Sequence, residues 1–93
     1  MIRSFADKRT AALFEGMSVK AIPTELRRRA KAKLAMIDAA VTLDFLRSPP
    51  GNRLEALGGN RTGQYSIRVN AQWRICFIWR EDGVYGVEFT DYH

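Results

Sequence analysis

The chain closes on "VEFTDYH", which sets an acid, a phenol and an imidazole side by side as Asp91, Tyr92 and His93, the last being the chain's one histidine. Chain ends usually fray, so three groups able to hold or move protons pose a chemical question there. RNA is cut by its own 2′-hydroxyl when a base removes that proton, cations neutralise the charge building on phosphorus, and an acid protonates the departing 5′-oxygen. His93 titrates near neutrality without help, and the adjacent chain-terminal carboxylate favours its protonated form, as a general acid requires. Tyr92 needs a lowered pKa to act as a base, and Asp91 is a further candidate for moving or orienting a proton. Arginines must supply the charge.

The strands before the terminus determine which arginines those are. "QYSIRVN", "QWRICFIWR" and "VYGVEFTDYH" are rich in aromatic and β-branched residues and are separated by "NAQ" and "DG", the pattern of an antiparallel meander. A first hairpin turning through Asn70, Ala71 and Gln72 places Tyr65, Ile67 and Val69 opposite Phe77, Ile75 and Trp73 on one apolar face. The other face then pairs Arg68 with Arg74. A second loop through Asp82, Gly83 and Val84 sets Phe77 against Phe89, Trp79 against Val87 and Arg74 against Tyr92. A two-residue loop at Asp82 and Gly83 would instead bring Glu88 against Phe77, so the longer loop is expected. Two arginines directly opposite each other repel unless an anion lies near, so Arg68 and Arg74 invite a phosphate. Two solvated arginines on an outer face are the plainer alternative.

The preceding half must carry this sheet. "MIRSF" reads as a short first strand, and "DKRTAALFEG" as a brief helix with Asp7 as its cap and Gly16 as its stop. A longer helix is expected from about Pro23 to Ala40, where Leu26, Ala30, Leu34, Ile37 and Val41 recur as one buried stripe. Arg27, Arg28, Arg29, Lys31 and Lys33 occupy most of its remaining surface, either tracking phosphates or simply solvated. "RSPPGNR" breaks the helical half from the strand-rich half. Beyond it "RLEAL" looks like a short strand, and "GGNRTG" like a tight cationic turn with Arg61 at its tip, able to touch a phosphate. Trp73, Trp79, Tyr65 and Phe77 share a phase with Ile67 and Ile75, which makes them core rather than a base-stacking platform.

Composition agrees with a single folded domain spanning residues 1–93. Hydrophobic residues make up 46% and charged residues 27%, enough apolar surface for one core. Lys and Arg number 15 against 10 Asp and Glu, for a net charge of +5 and a pI near 9.9, which favours polyanions. The single Cys76 cannot form an internal disulfide, which fits a reducing compartment, and its strand position points to a buried small residue rather than a nucleophile. "MIRSFADKRT" lacks the apolar run of a signal peptide and no stretch is long enough to span a bilayer, so a cytoplasmic protein without membrane attachment is expected. One histidine and one cysteine do not make a usual zinc site, the glycines of "LGGNRTG" join two strands rather than opening a helix, and no Ser-His-Asp order can be argued. No cofactor or metal is expected.

"SPPGNRLEALGGNRTGQYSIRVNAQWRICFIW" followed by the terminal "DYH" resembles the HigB group of toxins, the plasmid maintenance killer proteins, within the RelE superfamily. The likeness runs from "MIRSF" through "KLAMIDAA" to the last residue. It implies an α+β fold, a RelE-like compact single domain with N-terminal helices packed on a curved, mainly antiparallel β-sheet. It also implies a toxin that cleaves mRNA in the ribosomal A site, neutralised by a HigA-like helix-turn-helix antitoxin, with operator DNA bound only through the toxin-antitoxin complex. The resemblance assigns catalytic roles to Asp91, Tyr92, His93 and Arg74. Some HigB proteins hold a histidine and a lysine in the segment written here "EALGGN", at positions corresponding to Glu55 and Gly58. That departure either slows the toxin or shifts the work to Arg61, Arg68 and Glu55. An incomplete acid and base set gains most where the decoding site holds mRNA in a near-attack geometry, and Arg27 to Lys33 with Arg61 would grip ribosomal RNA. The alternatives are a non-catalytic RNA-binding or co-repressor module, supported by that departure, and a ribonuclease acting on free RNA.

Overall fold

A computed structural model describes residues 1–91. The expected α+β architecture is present: α1 (Lys8–Phe14) and α2 (Thr24–Ala39) pack on a four-stranded antiparallel sheet in the order β1 (Glu55–Ala56), β2 (Tyr65–Arg68), β3 (Arg74–Arg80) and β4 (Gly83–Thr90). Asp7 caps α1 as expected, accepting from the Thr10 N–H at 2.7 Å. Gly16 follows the helix at φ +79°, a conformation that favours glycine.

In α2 the apolar stripe buries Ala30, Leu34 and Ile37 against Ile67, Ile75, Phe77 and Phe89, with Leu26 half-buried beside them. Val41 does not belong to this stripe. The helix ends at Ala39, two residues earlier than the periodicity requires, so Val41 is 89% exposed and Ala40 is buried instead. The predicted break then holds two short 3₁₀ turns, Leu43–Arg47 and Pro50–Asn52.

The first hairpin follows the predicted register: Tyr65 faces Phe77, Ile67 faces Ile75 and Arg68 faces Arg74. Asn70 builds its turn, since its side-chain oxygen accepts from the Gln72 and Trp73 N–H groups at 2.8 and 2.7 Å. The second hairpin does not follow the prediction. Its loop is the two residues Glu81 and Asp82, with Arg80 opposite Gly83 and Trp79 opposite Val84. Further along, Ile75 faces Phe89 and Arg74 faces Thr90, so Phe77 is not paired with Phe89, and Arg74 is not paired with Tyr92.

The reason is a bulge. Between Cys76 and Ile78 lies one residue of β3, while between Tyr85 and Glu88 lie two residues of β4. Gly86, at φ +59°, is the extra residue. A tight turn alone would send Glu88 into the core; the extra residue reverses the alternation, so Val84, Val87 and Phe89 are all buried.

Among the described residues "MIRSF" makes two isolated bridges rather than a strand, Ile2 to Val84 and Phe5 to Val87, and both run parallel to β4. The bulge interrupts this ladder, and the Ser4 hydroxyl accepts the Gly86 N–H at 2.8 Å where no backbone partner lines up. The parallel segment nevertheless covers the outer edge of β4.

One buried polar residue ties α2 to the loop that follows. The Asn52 amide is fully buried, donates to the Leu46 carbonyl at 3.1 Å and accepts from Lys33 Nζ. Burial first, and the Arg29 charge second, hold the Lys33 pKa below its ordinary value. Asn52→Ala leaves both partners without this amide and is expected to lower unfolding free energy by about 1–3 kcal/mol, read as a lower urea midpoint with unchanged slope.

Candidate active site

The site grows from the alternation of β3. Ile75 and Phe77 enter the core, so Arg74 and Cys76 face the other side of the sheet. Register then aligns two rows across the strands. One row runs Glu55, Ser66, Cys76, Glu88; the next runs Arg68, Arg74, Thr90. An acid-bearing row therefore lies against a cationic one, beside the strand end that leads to Asp91.

Arg74 is held from three directions. Its Nε donates to Ser66 Oγ at 2.8 Å, one terminal nitrogen donates to the Arg53 carbonyl at 2.8 Å, and that nitrogen lies 3.6 Å from Glu55 Oε1. The side chain is only 15% exposed. Arg68 turns the other way, and its Nε donates to the Asn70 carbonyl at 3.0 Å. The expected repulsion between the two is thus relieved by separate acceptors as well as by any bound anion. Nη1 of Arg74 takes no part in these contacts and can meet a phosphate.

Arg61 does not stand at the tip of an outward turn. The "GGNRTG" segment coils as a 3₁₀ turn, Gly59–Arg61, and folds Arg61 onto the sheet, where Nη1 lies 3.1 Å from both Glu88 Oε1 and Gln64 Oε1. These long side chains cover Ser66 and Cys76, which are fully buried although they face away from the apolar core. Desolvation pushes the Cys76 thiol up; Arg61 and Arg74 oppose the shift while Glu88 and Glu55 reinforce it.

The strand end carrying Asp91 does not rely on β3 alone. The Phe89 N–H donates to Thr10 Oγ1 at 3.0 Å, and its carbonyl accepts from Arg9 at 2.8 Å. The Arg9 guanidinium also sits 5.6 Å from the ring centres of Trp73 and Phe89, which stack at 4.5 Å and 5°. Asp91 Oδ2 accepts from Gln72 Nε2 at 3.1 Å. Tyr92 and His93 lie outside the described residues. Sequence reasoning missed Arg9, Thr10, Gln72, Ser66 and Glu88; of these only Ser66 and Glu88 carried a signal, as polar residues in phase with Arg68 and Arg74.

The remaining predicted cations lie elsewhere. Because α2 packs on the apolar side of the sheet, its outer face is remote from the Arg68 and Arg74 row. Arg28 and Lys31 are exposed there, with Arg28 3.4 Å from Glu25. Arg27 folds back to the Ile22 carbonyl and Thr24 Oγ1. A cleft of about 630 Å³ between α2 and the first hairpin, lined by Arg9, Lys20, Arg29, Gln72 and Trp73, joins the two regions at the Gln72 edge.

Over residues 3–93 the sequence matches the family described as the RelE-like toxin of the type II toxin-antitoxin system HigB. The chain belongs to this family. It is 40% identical to Toxin HigB-1 of Vibrio cholerae serotype O1, covering 100% of this chain and 98% of that protein. It is 34% identical to Endoribonuclease HigB of Proteus vulgaris over the full length of both. The fold resembles a chain of the YoeB-YefM complex from Staphylococcus aureus, with a TM-score of 0.63 at 16% identity, covering 100% of this chain and 98% of that one. Among the described residues of this HigB-family toxin, no helix is long and apolar enough to cross a membrane.

The lid over Cys76 has a measurable consequence. A thiol-reactive disulfide reagent should label the native protein slowly, and promptly once denaturant opens the Arg61, Glu88 and Arg74 cover. Rapid native labelling would show that the cover opens readily.

Proposed function

We propose that this toxin is an endoribonuclease that cleaves mRNA in the ribosomal A site and so blocks translation. The observation that carries the reading is the placement of Arg74: locked by Ser66 and the Arg53 carbonyl, it pairs with Thr90 at the strand end that runs directly into Asp91, Tyr92 and His93. A guanidinium fixed before substrate arrives stabilises the charge developing on phosphorus without reorganising. His93 would protonate the departing 5′-oxygen. Arg68 and Arg61 would hold neighbouring phosphates, Arg61 by exchanging Glu88 for the RNA backbone.

The cations on the outer side of α2 suit a second role. Arg27, Arg28 and Lys31 face away from the sheet site, so they would contact ribosomal RNA while the sheet receives mRNA. The A site would then supply the strained geometry that a sparse acid and base set needs. In the cell the toxin would be cytoplasmic, neutralised by a HigA-like helix-turn-helix antitoxin, and would reach operator DNA only through that complex.

One observation favours a second reading, a non-catalytic RNA-binding or co-repressor module: Arg61 and Arg74 already have carboxylate neighbours, Glu88 and Glu55. Primer extension on a defined mRNA in programmed ribosomes separates the two. Wild type should cut within the A-site codon, and His93→Ala or Arg74→Ala should lower the rate by roughly 10²–10⁴-fold, with a ribosome-free control remaining uncut. Full activity in both variants, or no cut by folded, ribosome-bound wild type, would select the non-catalytic module; cutting of naked RNA would mark a free ribonuclease.

Ribosome binding should weaken steeply with salt. Replacing Arg28 and Lys31 with alanine should reduce the slope of log affinity against log salt by roughly 2, measured by co-sedimentation over a salt series. An unchanged slope would remove these residues from the RNA contact.

A further inference from the structure

We infer that Arg9 is a positioning residue for the reaction: its grip on Phe89 fixes the path of the chain into Asp91, Tyr92 and His93 and so aims the terminal proton donor at the scissile phosphate. The inference rests on the ribonuclease reading above. It begins with the outer edge of β4, the edge turned away from β3. Up to Val87 that edge is served by the N-terminal backbone. Val84 bonds with Met1 and Arg3, and Val87 with Ser4 and Ala6, each through both its N–H and its carbonyl. The N-terminal segment then turns into α1, and the next outward pair, the N–H and carbonyl of Phe89, is met by side chains instead. Thr10 Oγ1 accepts the N–H at 3.0 Å, and a terminal nitrogen of Arg9 donates to the carbonyl at 2.8 Å.

The two grips are not equivalent. Thr10 is fully buried, whereas Arg9 is exposed and its guanidinium lies 5.6 Å from the ring centres of both Trp73 and Phe89. Those two residues adjoin the two halves of the proposed site, since Trp73 precedes Arg74 and Phe89 stands two residues before Asp91. The same order recurs across the strands: Gln72 bonds Asp91, Trp73 stacks on Phe89, and Arg74 faces Thr90. Arg9 therefore closes the join between the strand that carries the phosphate-binding arginine and the strand that carries the terminus.

Its action is indirect. Trp73 and Phe89 pack with the apolar core while Arg74 faces the other side of the sheet, so Arg9 acts on the site through the backbone and not by touching the reacting groups. His93 follows Phe89 by four residues. A misplacement of about 1 Å at reacting groups is enough to cost about 100-fold in rate, so a strand end left to drift would waste a well-placed phosphate.

The test is a double-mutant comparison in programmed ribosomes, on RNA with a 5′-oxygen or a 5′-sulfur at the scissile phosphate. Sulfur departs without protonation, so it compensates for an acid that is lost or misplaced. Arg9→Gln should lower the maximal cleavage rate of oxygen RNA by about 100-fold, leave half-saturation nearly unchanged, and regain most of the loss on sulfur RNA. Arg9→Lys keeps a cation and a donor; it should fall between wild type and Arg9→Gln, and it carries the comparison should the glutamine variant fold poorly. On sulfur RNA, adding Arg9→Gln to His93→Ala should change the rate by less than about 2-fold, because both substitutions act through one group. A merely structural role would instead lower the rate of the double variant by the full factor on either RNA. Raised half-saturation at an intact maximal rate would make Arg9 an RNA contact in the cleft beside Gln72, and an unchanged rate would show that pairing with β3 alone holds the terminus. Each of these three results overturns the inference. A failure of the ribonuclease reading itself would appear separately, as wild type that binds ribosomes and does not cut, or as His93→Ala that cuts oxygen RNA at the full rate.

Discussion

Everything on this molecule's reactive side depends on the two-residue alternation of β3. While Ile75 and Phe77 remain in the core, Arg74 and Cys76 must emerge on the opposite face, and their neighbours on β2 and β4 follow by pairing. A slip of one residue would bury the arginine and expose the phenylalanine. The bulge at Gly86 is how the chain meets this constraint with a tight turn: it absorbs one residue, returns Phe89 to the core and leaves Thr90 beside Arg74. The same bulge breaks the ladder to the N-terminal segment, and Ser4 fills the gap.

Charge on this face is arranged as opposed rows rather than as a bare cationic patch. Arg61 and Arg74 rest near Glu88 and Glu55, which lowers the cost of holding arginines in partly dehydrated positions before substrate binds. A phosphate arriving at Arg74 meets a guanidinium whose orientation is already set by Ser66 and a backbone carbonyl. Among the described residues the outer cations of α2 make local contacts, Arg27 with the Ile22 carbonyl and Thr24 Oγ1 and Arg28 with Glu25, consistent with long-range attraction to RNA rather than with a network shared across elements. A toxin built this way has two unlike faces, one preorganised and one adaptable.

Where local pattern and tertiary packing agreed, the sequence was readable. The first hairpin register, the Asp7 cap, the buried centre of α2 and the burial of Cys76 all follow from periodicity and turn chemistry. The second hairpin was not readable, because sidedness alone allows either a longer loop or a shorter loop plus a bulge. Both bring Val87 and Phe89 inward; only the relative cost of turn and bulge chooses between them. Val41 misled because periodicity does not say where a helix stops. Arg61 misled because a glycine-rich segment between strands fits a hairpin tip and a coiled 3₁₀ turn equally well.

By itself the sequence determined which residue types could do chemistry and on which face of the sheet the arginines belong, since alternation along a strand is a local property. It also carried the family likeness through its motifs. Only the tertiary structure decided what those residues touch. Arg74 meets Ser66, Arg53 and Glu55, the end of β4 is held by Arg9 and Thr10, and Asp91 rests on Gln72. These contacts join residues from separate elements, and the end of β4 is tied to α1 across nearly the whole chain. Their geometry is set by how helices and strands close over one core, and no spacing within the chain encodes it.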